Sequence, residues 1–219
     1  MAYKTVFILA AGSGVRWNNY RGVPKHQVIV EGEVLIERTY RQFAKYADKI
    51  IIVANEGESG IDDAEVYTPS KNKQWKDIAK FWSSRDIWSD GKNIMVFADV
   101  YFTDEAVELI MNDTENLSFY LRSKGSILTK KPYAEIWGIG FDGLSIPILD
   151  SEISKIIQSK ENYSTGGWRL YNQLIENKHK VNSIWIDDWT EDFDFPKDID
   201  TWESQREMIL GQINITDSI

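Results

Sequence analysis

A chain that opens on Val6-Phe7-Ile8-Leu9-Ala10-Ala11 and breaks at once into Gly12-Ser13-Gly14 has few folds open to it. The apolar run, rich in β-formers, reads as a buried strand, and the glycines end it abruptly. Gly12 and Gly14 remove side chains where the backbone can approach a ligand, and they leave N–H groups facing outward toward anions. Arg16 and Lys25, the latter behind Val23-Pro24, then add two fixed positive charges. Small residues, free amides and cations in that order describe a cradle for a triphosphate. A tight turn with two surface cations is the plainer alternative.

Two other glycine loops are excluded. A Walker A loop ends in Gly-Lys-Ser/Thr, whereas Gly14 is followed by Val15-Arg16. A dinucleotide fingerprint places a third Gly or Ala where this chain has Trp17, and an indole there obstructs the close helix–strand approach.

The 219 residues suffice for one sizeable α/β core, and a single domain over residues 1–219 is expected. A formal net charge of −9 argues against a general nucleic-acid or anionic-membrane surface, but not against a nucleotide held by local amides and cations. There is no cysteine, hence no disulfide or thiolate chemistry. Met1-Ala2-Tyr3-Lys4 runs straight into the first strand, which leaves no room for a signal peptide, and no apolar run is long enough to span a bilayer. A cytoplasmic location is the expectation. Of the nine tryptophans, Trp17, Trp75, Trp82, Trp88, Trp168 and Trp189 stand among polar residues, which suggests half-exposed walls around a cleft or ordinary core and rim packing.

Leu35, Thr39, Phe43 and Tyr46 recur at helical spacing, and Lys49 to Ala54 is a second buried strand. Strand, helix and strand form a βαβ unit, so the sheet is expected to be mostly parallel, in a three-layer α/β/α fold. Asn55 to Asp63 is a loop, and a helix carrying Trp75, Ile78, Ala79, Phe81 and Trp82 follows. A third strand, Asn93 to Ala98, delivers Asp99 at its tip, and a carboxylate there must be paired, hydrogen-bonded or metal-bound. Asp104 to Asn112 reads as a helix capped by Thr103 or Asp104, and Leu117 to Arg122 as a strand. Lys124 to Lys131 reads as an exposed excursion, and Ala134 to Phe141 as a strand with two glycines. Helices follow at Asp150 to Gln158 and around Leu170 to Ile175, then a strand at Val181 to Asp187. Gly166-Gly167 beside Arg169 is either a helix entry or a second anion site for an acceptor phosphate. Asp192 and Asp194 alternate with aromatics, so extended backbone points both carboxylates the same way. A closing helix is expected over Ile199 to Gln212.

Leu9 to Arg16 with Pro24-Lys25 resembles the signature of the nucleotidyltransferases with a GT-A-like (nucleotide-diphospho-sugar transferase-like) fold: the sugar-phosphate and alditol-phosphate enzymes and their MobA-like relatives. Gly32, Leu35 to Thr39 and Phe43 continue the likeness. Phe97-Ala98-Asp99-Val100-Tyr101 is similar to the family's Gly-Asp-Val-Tyr element, with Ala98 for glycine, and Phe193 to Ile199 to its Ile-Asp-Thr-Pro-Glu-Asp-Leu element, with Phe195 for threonine.

The resemblance implies transfer of a nucleoside monophosphate from CTP or UTP, CTP favoured, to a small phosphorylated acceptor such as a sugar or alditol phosphate, with pyrophosphate leaving. The setting it implies is synthesis of cell-surface polysaccharide precursors. Leu9, Ala10, Ala11, Gly12, Ser13 and Gly14 would line the nucleotide, with Asn55 and Glu56 on the base side unless that loop is merely solvated. Arg16 would hold the leaving pyrophosphate and Lys25 the α-phosphate. Asp99 and Asp194 would bind magnesium, with Asp192 a lesser candidate for the second position. Glu135 and Gly138 would lie on the acceptor side, against the alternative of a bulge in a packed strand, and an antiparallel element is expected there. His26, next to Lys25, is expected to point away. A glycosyltransferase on the same fold would normally carry Asp-x-Asp where this chain has Asp99-Val100-Tyr101, and would not need Arg16 or Pro24-Lys25. A non-catalytic nucleotide sensor would not need to keep all of Arg16, Lys25, Asp99 and Asp194. A homodimer is the assembly left open.

Overall fold

Strand β1 (Lys4–Leu9) lies between β4 (Lys49–Val53) and β6 (Lys92–Phe97), parallel to both, with Phe7 level with Ile51 and Met95. The computed structural model describes residues 3–12, 14–69, 81–126, 128–159 and 166–216. Both faces of β1 are covered, which is why its sequence shows no polar alternation. Val6, Ile8 and Ala10 pack with Ile50, Ile52, Ile94 and Val96 beneath helices α1 (Leu35–Phe43) and α2 (Asp104–Met111). Phe7 and Leu9 pack with Ile51, Val53 and Met95 on the opposite face, beneath α3 (Ile146–Gln158) and α4 (Gly166–Glu176).

The remaining strands complete a mixed sheet in the order β10-β8-β9-β6-β1-β4-β5, with β5 at Val66–Tyr67, β8 at Leu117–Arg122, β9 at Glu135–Phe141 and β10 at Asn182–Trp185. β9 runs antiparallel to both neighbours, β6 and β8. Its register shifts against β8, so that Tyr120 faces Gly138 while Leu121 faces Ile136. Two short ribbons lie outside this sheet: β2 (Ile29–Val30) with β3 (Glu33–Val34), and β7 (Val100–Tyr101) with β11 (Glu191–Asp192). The last helix, α5, spans Pro196–Thr216.

The expected elements are present with shifted ends. α3 begins one turn earlier than Asp150, with Pro147 in its first turn where a missing N–H costs nothing. The Asp104 helix is capped by Thr103, whose hydroxyl accepts from the Ala106 N–H at 3.0 Å. The helix expected to carry Trp75, Ile78 and Ala79 lies outside the described residues. Among the described residues no helix is long and apolar enough to cross a membrane.

α3 and α4 are tied together by Glu152, whose carboxylate accepts from Lys155 (2.6 Å), Gln173 (2.6 Å) and Asn177 (2.7 Å) and contacts His179 Nε2 at 3.2 Å. Burial alone would raise its pKa, but these partners outweigh it and hold the carboxyl down at about 2. A carboxyl depressed on folding stabilises the native state above the unfolded pKa near 4.5, and loses that contribution as pH falls toward 2. Glu152→Gln is therefore expected to lower stability at neutral pH, and to remove about 3 kcal/mol of the acid-side slope between pH 5 and 2. Urea unfolding across that range is the check; parallel curves for the two proteins would refute it.

Candidate active site

The carboxyl ends of β1, β4 and β6 share one edge of the sheet, and the chain changes direction across the sheet between β1 and β6, the place where open α/β sheets bind ligands. Gly12 and Gly14 emerge from β1, Asn55 from β4 and Asp99 from β6. Leu9 and Ala10 are buried, and the Ala10 N–H and Leu9 carbonyl are bonded to Val53 and Ala98 at 2.8 and 3.1 Å, so open backbone begins at Ala11. Gly14 holds φ at +57°, a left-handed turn into a single helical turn over Val15–Trp17. Ser13 lies outside the described residues.

A satellite core fixes the geometry of this edge. Trp17, Val28, Leu35, Tyr101, Leu128, Phe193, Ile199 and Trp202 are all buried together, drawn from both ends of the chain. Trp17 is thus not a half-exposed cleft wall: its side chain is in this core and its indole donates to the Val23 carbonyl at 3.1 Å. Trp82, Trp88 and Trp168 pack against the α3–α4 side of the sheet, and Trp189 borders a cavity. Trp75 is outside the described residues.

On this core the chain assembles one charge cluster. The β7–β11 ribbon pairs Val100 with Asp192, and the Phe193 N–H donates to the Asp99 carbonyl at 3.2 Å, which brings Asp99 beside Asp192 and Asp194. Lys25 Nζ is ion-paired to the Asp99 carboxylate and lies 3.7 Å from Asp194 Oδ1. Arg16 Nη2 is 2.7 Å from the same Asp194 oxygen, its guanidinium over the Phe195 ring. Burial pulls the Lys25 pKa down, but Asp99, Asp192 and Asp194 more than offset it and hold the ammonium above its ordinary range.

The third cation was not legible in the sequence. Lys131, expected on an exposed excursion, is buried with Ser126 and Leu128; its ammonium is 2.6 Å from Asp192, 3.6 Å from Asp194 and 3.7 Å from Asp198. Its pKa is raised because these carboxylates outweigh the burial penalty. Asp198 has a second task, accepting from the Phe195 N–H at 2.9 Å and so capping α5, where Phe195 has no polar side chain to do it.

Glu135 also belongs to this cluster. Its carboxylate lies with those of Asp192 and Asp194, one oxygen of each within 4.8 Å of the others. Burial and Asp192, with Asp194 adding to them against the pull of Lys131, push Glu135 up to about 8, and burial likewise pushes Asp192 up to about 6. Gly138 lies on β9 against β6. A Cβ there would collide with the Met95 carbonyl, so close strand packing beside the β9 irregularity by itself accounts for a glycine at this position. Arg169 donates to Ser159 Oγ at 2.5 Å and so links α4 to the end of α3, which favours the helix-entry reading of Gly166-Gly167.

Asn55 donates to Glu58 at 2.7 Å within its own turn, while Glu56 is exposed. That loop touches the Lys25 segment, since the Glu58 carbonyl lies 2.7 Å from His26 Nε2. His26 is buried there, in a 3-10 turn and not in extended backbone as expected.

No family model matches the sequence, and no curated protein matches it. Solved structures do. The inositol-1-phosphate CTP transferase from T. maritima superposes with a TM-score of 0.62 at 15% identity, over 93% of this chain and 96% of that one. The CTP:phosphocholine cytidylyltransferase from Streptococcus pneumoniae gives 0.61 at 14% identity, over 95% and 100%. The 2-C-methyl-D-erythritol 4-phosphate cytidylyltransferase from Thermus thermophilus gives 0.63 at 12%, over 93% and 98%. The fold is that of the nucleotidyltransferases. In the nucleotidyltransferase fold of this chain, the charge cluster stands at the sheet edge where the glycine loop opens.

Proposed function

We propose that the protein, as one domain over residues 1–219, is a magnesium-dependent nucleotidyltransferase that moves a nucleoside monophosphate from CTP or UTP to a small phosphorylated acceptor. The observation that carries this reading is the gathering of Arg16, Lys25, Asp99, Asp192 and Asp194 from four separate stretches beside an open glycine loop. The three solved relatives described above, each named for CTP or for cytidylyl transfer, supply the preference for CTP. With this chemistry we place it in the cytoplasm, on precursors of surface polysaccharides, and leave a homodimer open.

The acidic oxygens suit magnesium, a hard cation that takes oxygen ligands. Glu135, Asp192 and Asp194 each place one carboxylate oxygen within 4.8 Å of the others, a spacing that a shared cation can span. Asp99 and Asp194 would hold the ion, with Asp192 and Glu135 flanking them, and it would neutralise charge across the phosphate oxygens.

The chain's own residues do the rest. Backbone amides at Gly12 and Gly14 face the triphosphate. Lys25, now between Asp99 and Asp194, turns to the α-phosphate, and Arg16 exchanges Asp194 for the departing pyrophosphate. Both cations wait beside the cradle, paired with Asp99 and Asp194, and exchange these carboxylates for phosphate oxygens when substrate arrives. Asp192 and Asp198 keep Lys131 in place beneath. The acceptor's phosphate oxygen attacks in line; no histidine or thiol nucleophile takes part.

Thermal unfolding with CTP, UTP, ATP and GTP, each with and without magnesium, tests this. A nucleotide at about 100 times its Kd stabilises by about 2.7 kcal/mol, so a magnesium-dependent rise for one pyrimidine triphosphate, reduced in Asp99→Ala, is expected. No rise with any triphosphate would overturn the reading, and a rise with nucleotide-sugars alone would support a glycosyltransferase instead.

A further inference from the structure

Behind the β7–β11 ribbon lies a second cavity of about 280 Å³, bounded by Arg38, Tyr101, Thr103, Trp189 and Arg206, with Asp104 and Glu105 also on its wall. None of Arg16, Lys25, Asp99, Asp192 or Asp194 lines it. We infer that this cavity binds a small molecule bearing one phosphate group on a flat ring, separately from the triphosphate cradle.

The two guanidiniums are prepared for an oxyanion. Arg38 rests over the Tyr101 ring at 4.5 Å, with only 18% of its side chain exposed. Its carboxylate neighbour, Glu33, stands 3.8 Å away and already holds Arg41 through two hydrogen bonds of 2.9 and 2.7 Å. Arg38 Nε is buried with no hydrogen-bond partner among the described residues. The nearest carboxylate oxygen, Glu33 Oε2, is shared with Arg41 and 3.8 Å from Arg38 Nη1, so the Arg38 charge is only partly offset and a bound oxyanion would complete it. Arg206 is fixed on the facing side by Glu31 and lies over the rings of Trp189 and Trp202 at 5.5 and 5.4 Å. Stacked guanidiniums keep their in-plane N–H groups for a phosphate, a geometry that lysine cannot reproduce.

The other walls limit what enters. Trp189, with Arg206 over its ring, gives the wall its aromatic part. The Thr103 hydroxyl is already committed to Asp188 at 2.5 Å and to the Ala106 N–H, so it does not compete for the anion. Asp104 and the exposed Glu105 make the rim acidic, which repels a triphosphate more strongly than a monophosphate. The volume is enough for a ring with one phosphate. Tyr101 pairs through its backbone with Glu191, the residue before Asp192, so the cavity and the charge cluster share one ribbon.

Phenyl phosphate is the probe, with indole N–H resonances of the full chain as the readout and Trp189→Phe to assign the relevant one. A saturable shift of the Trp189 signal is expected at about 1 mM, the range for a fragment of this size. It should weaken at least tenfold in Arg38→Gln and several-fold in Arg38→Lys, and persist in Lys25→Ala, which disables the cradle. Inorganic phosphate should bind more weakly, and benzyl alcohol should not shift the signal. Arg206→Gln gives a second measure should Arg38→Gln unfold. No shift, an equal shift with benzyl alcohol, a shift indifferent to both arginine variants, or one lost in Lys25→Ala would each overturn the assignment.

Discussion

Asp194→Asn is expected to lower nucleotidyl transfer by about 10³-fold while the protein stays folded, because the change removes a charge at the point where every functional group of the cluster meets. Asp194 sits 2.7 Å from Arg16, 3.7 Å from Lys25 and 3.6 Å from Lys131. It therefore holds both Arg16 and Lys25 in place, and under the proposed function it would also offer an oxygen to the metal. The fold survives because each remaining cation keeps other support: Lys25 has Asp99, Lys131 has Asp192 and Asp198, and Arg16 is largely exposed. The KM for the triphosphate should change far less than kcat, since the glycine loop is untouched. Single-turnover pyrophosphate release, read beside a melting curve, checks both halves. A variant that turns over at more than a tenth of the parent rate would show that Asp194 is structural.

How much of this was legible in the sequence follows from what each residue does. β1, β4 and β6 were readable because burial on both faces leaves continuous apolar runs, and the glycine loop because Gly14 takes a φ of +57° at no steric cost. Asp99 was readable because a carboxylate at the tip of a buried strand needs a partner, and its partner proved to be Lys25. Lys131 was not. A lysine in a stretch of Lys, Ser and Thr looks like solvated surface, and nothing local announces that Leu128 and Phe193 will bury it against Asp192. Glu135 was drawn to the acceptor side by resemblance, and its place beside Asp192 and Asp194, more than fifty residues on, is a long-range fact that no local pattern carries. Trp17 misled in the opposite way: polar neighbours in sequence conceal an indole whose real neighbours are Leu35, Phe193 and Trp202. Gly138 has two explanations in sequence, close ligand or close strand, and the Met95 carbonyl that crowds it comes from β6, which nothing local announces.

The largest expected effect on stability comes from the residue just before the cluster. Glu191 is fully buried on β11, and Arg122, at the end of β8, donates to it through Nη1 at 2.9 Å. The guanidinium is held further by the Lys124 carbonyl at 2.9 Å and by the Trp137 ring, 5.0 Å away. Removing one partner of such a pair strands the other charge in a medium that cannot solvate it, so Glu191→Gln is expected to cost about 3–5 kcal/mol. The pair is not ideal, since Arg122 Nη2 and Glu191 Oε1 lack hydrogen-bond partners among the described residues. The double variant Arg122→Met/Glu191→Leu should accordingly recover most of the loss, because it removes both charges and their unmet bonds together. Denaturant midpoints at unchanged slope would measure this, and a single variant as stable as the parent would refute it. Recovery of stability need not bring back activity. Glu191 fixes β11 from the side opposite Tyr101, and Asp192 follows it directly, so the double variant is expected to fold while its carboxylates lose their register with Asp99. Stability restored with transfer still depressed would separate the two contributions of this ion pair, one to the core and one to the alignment of the acidic cluster.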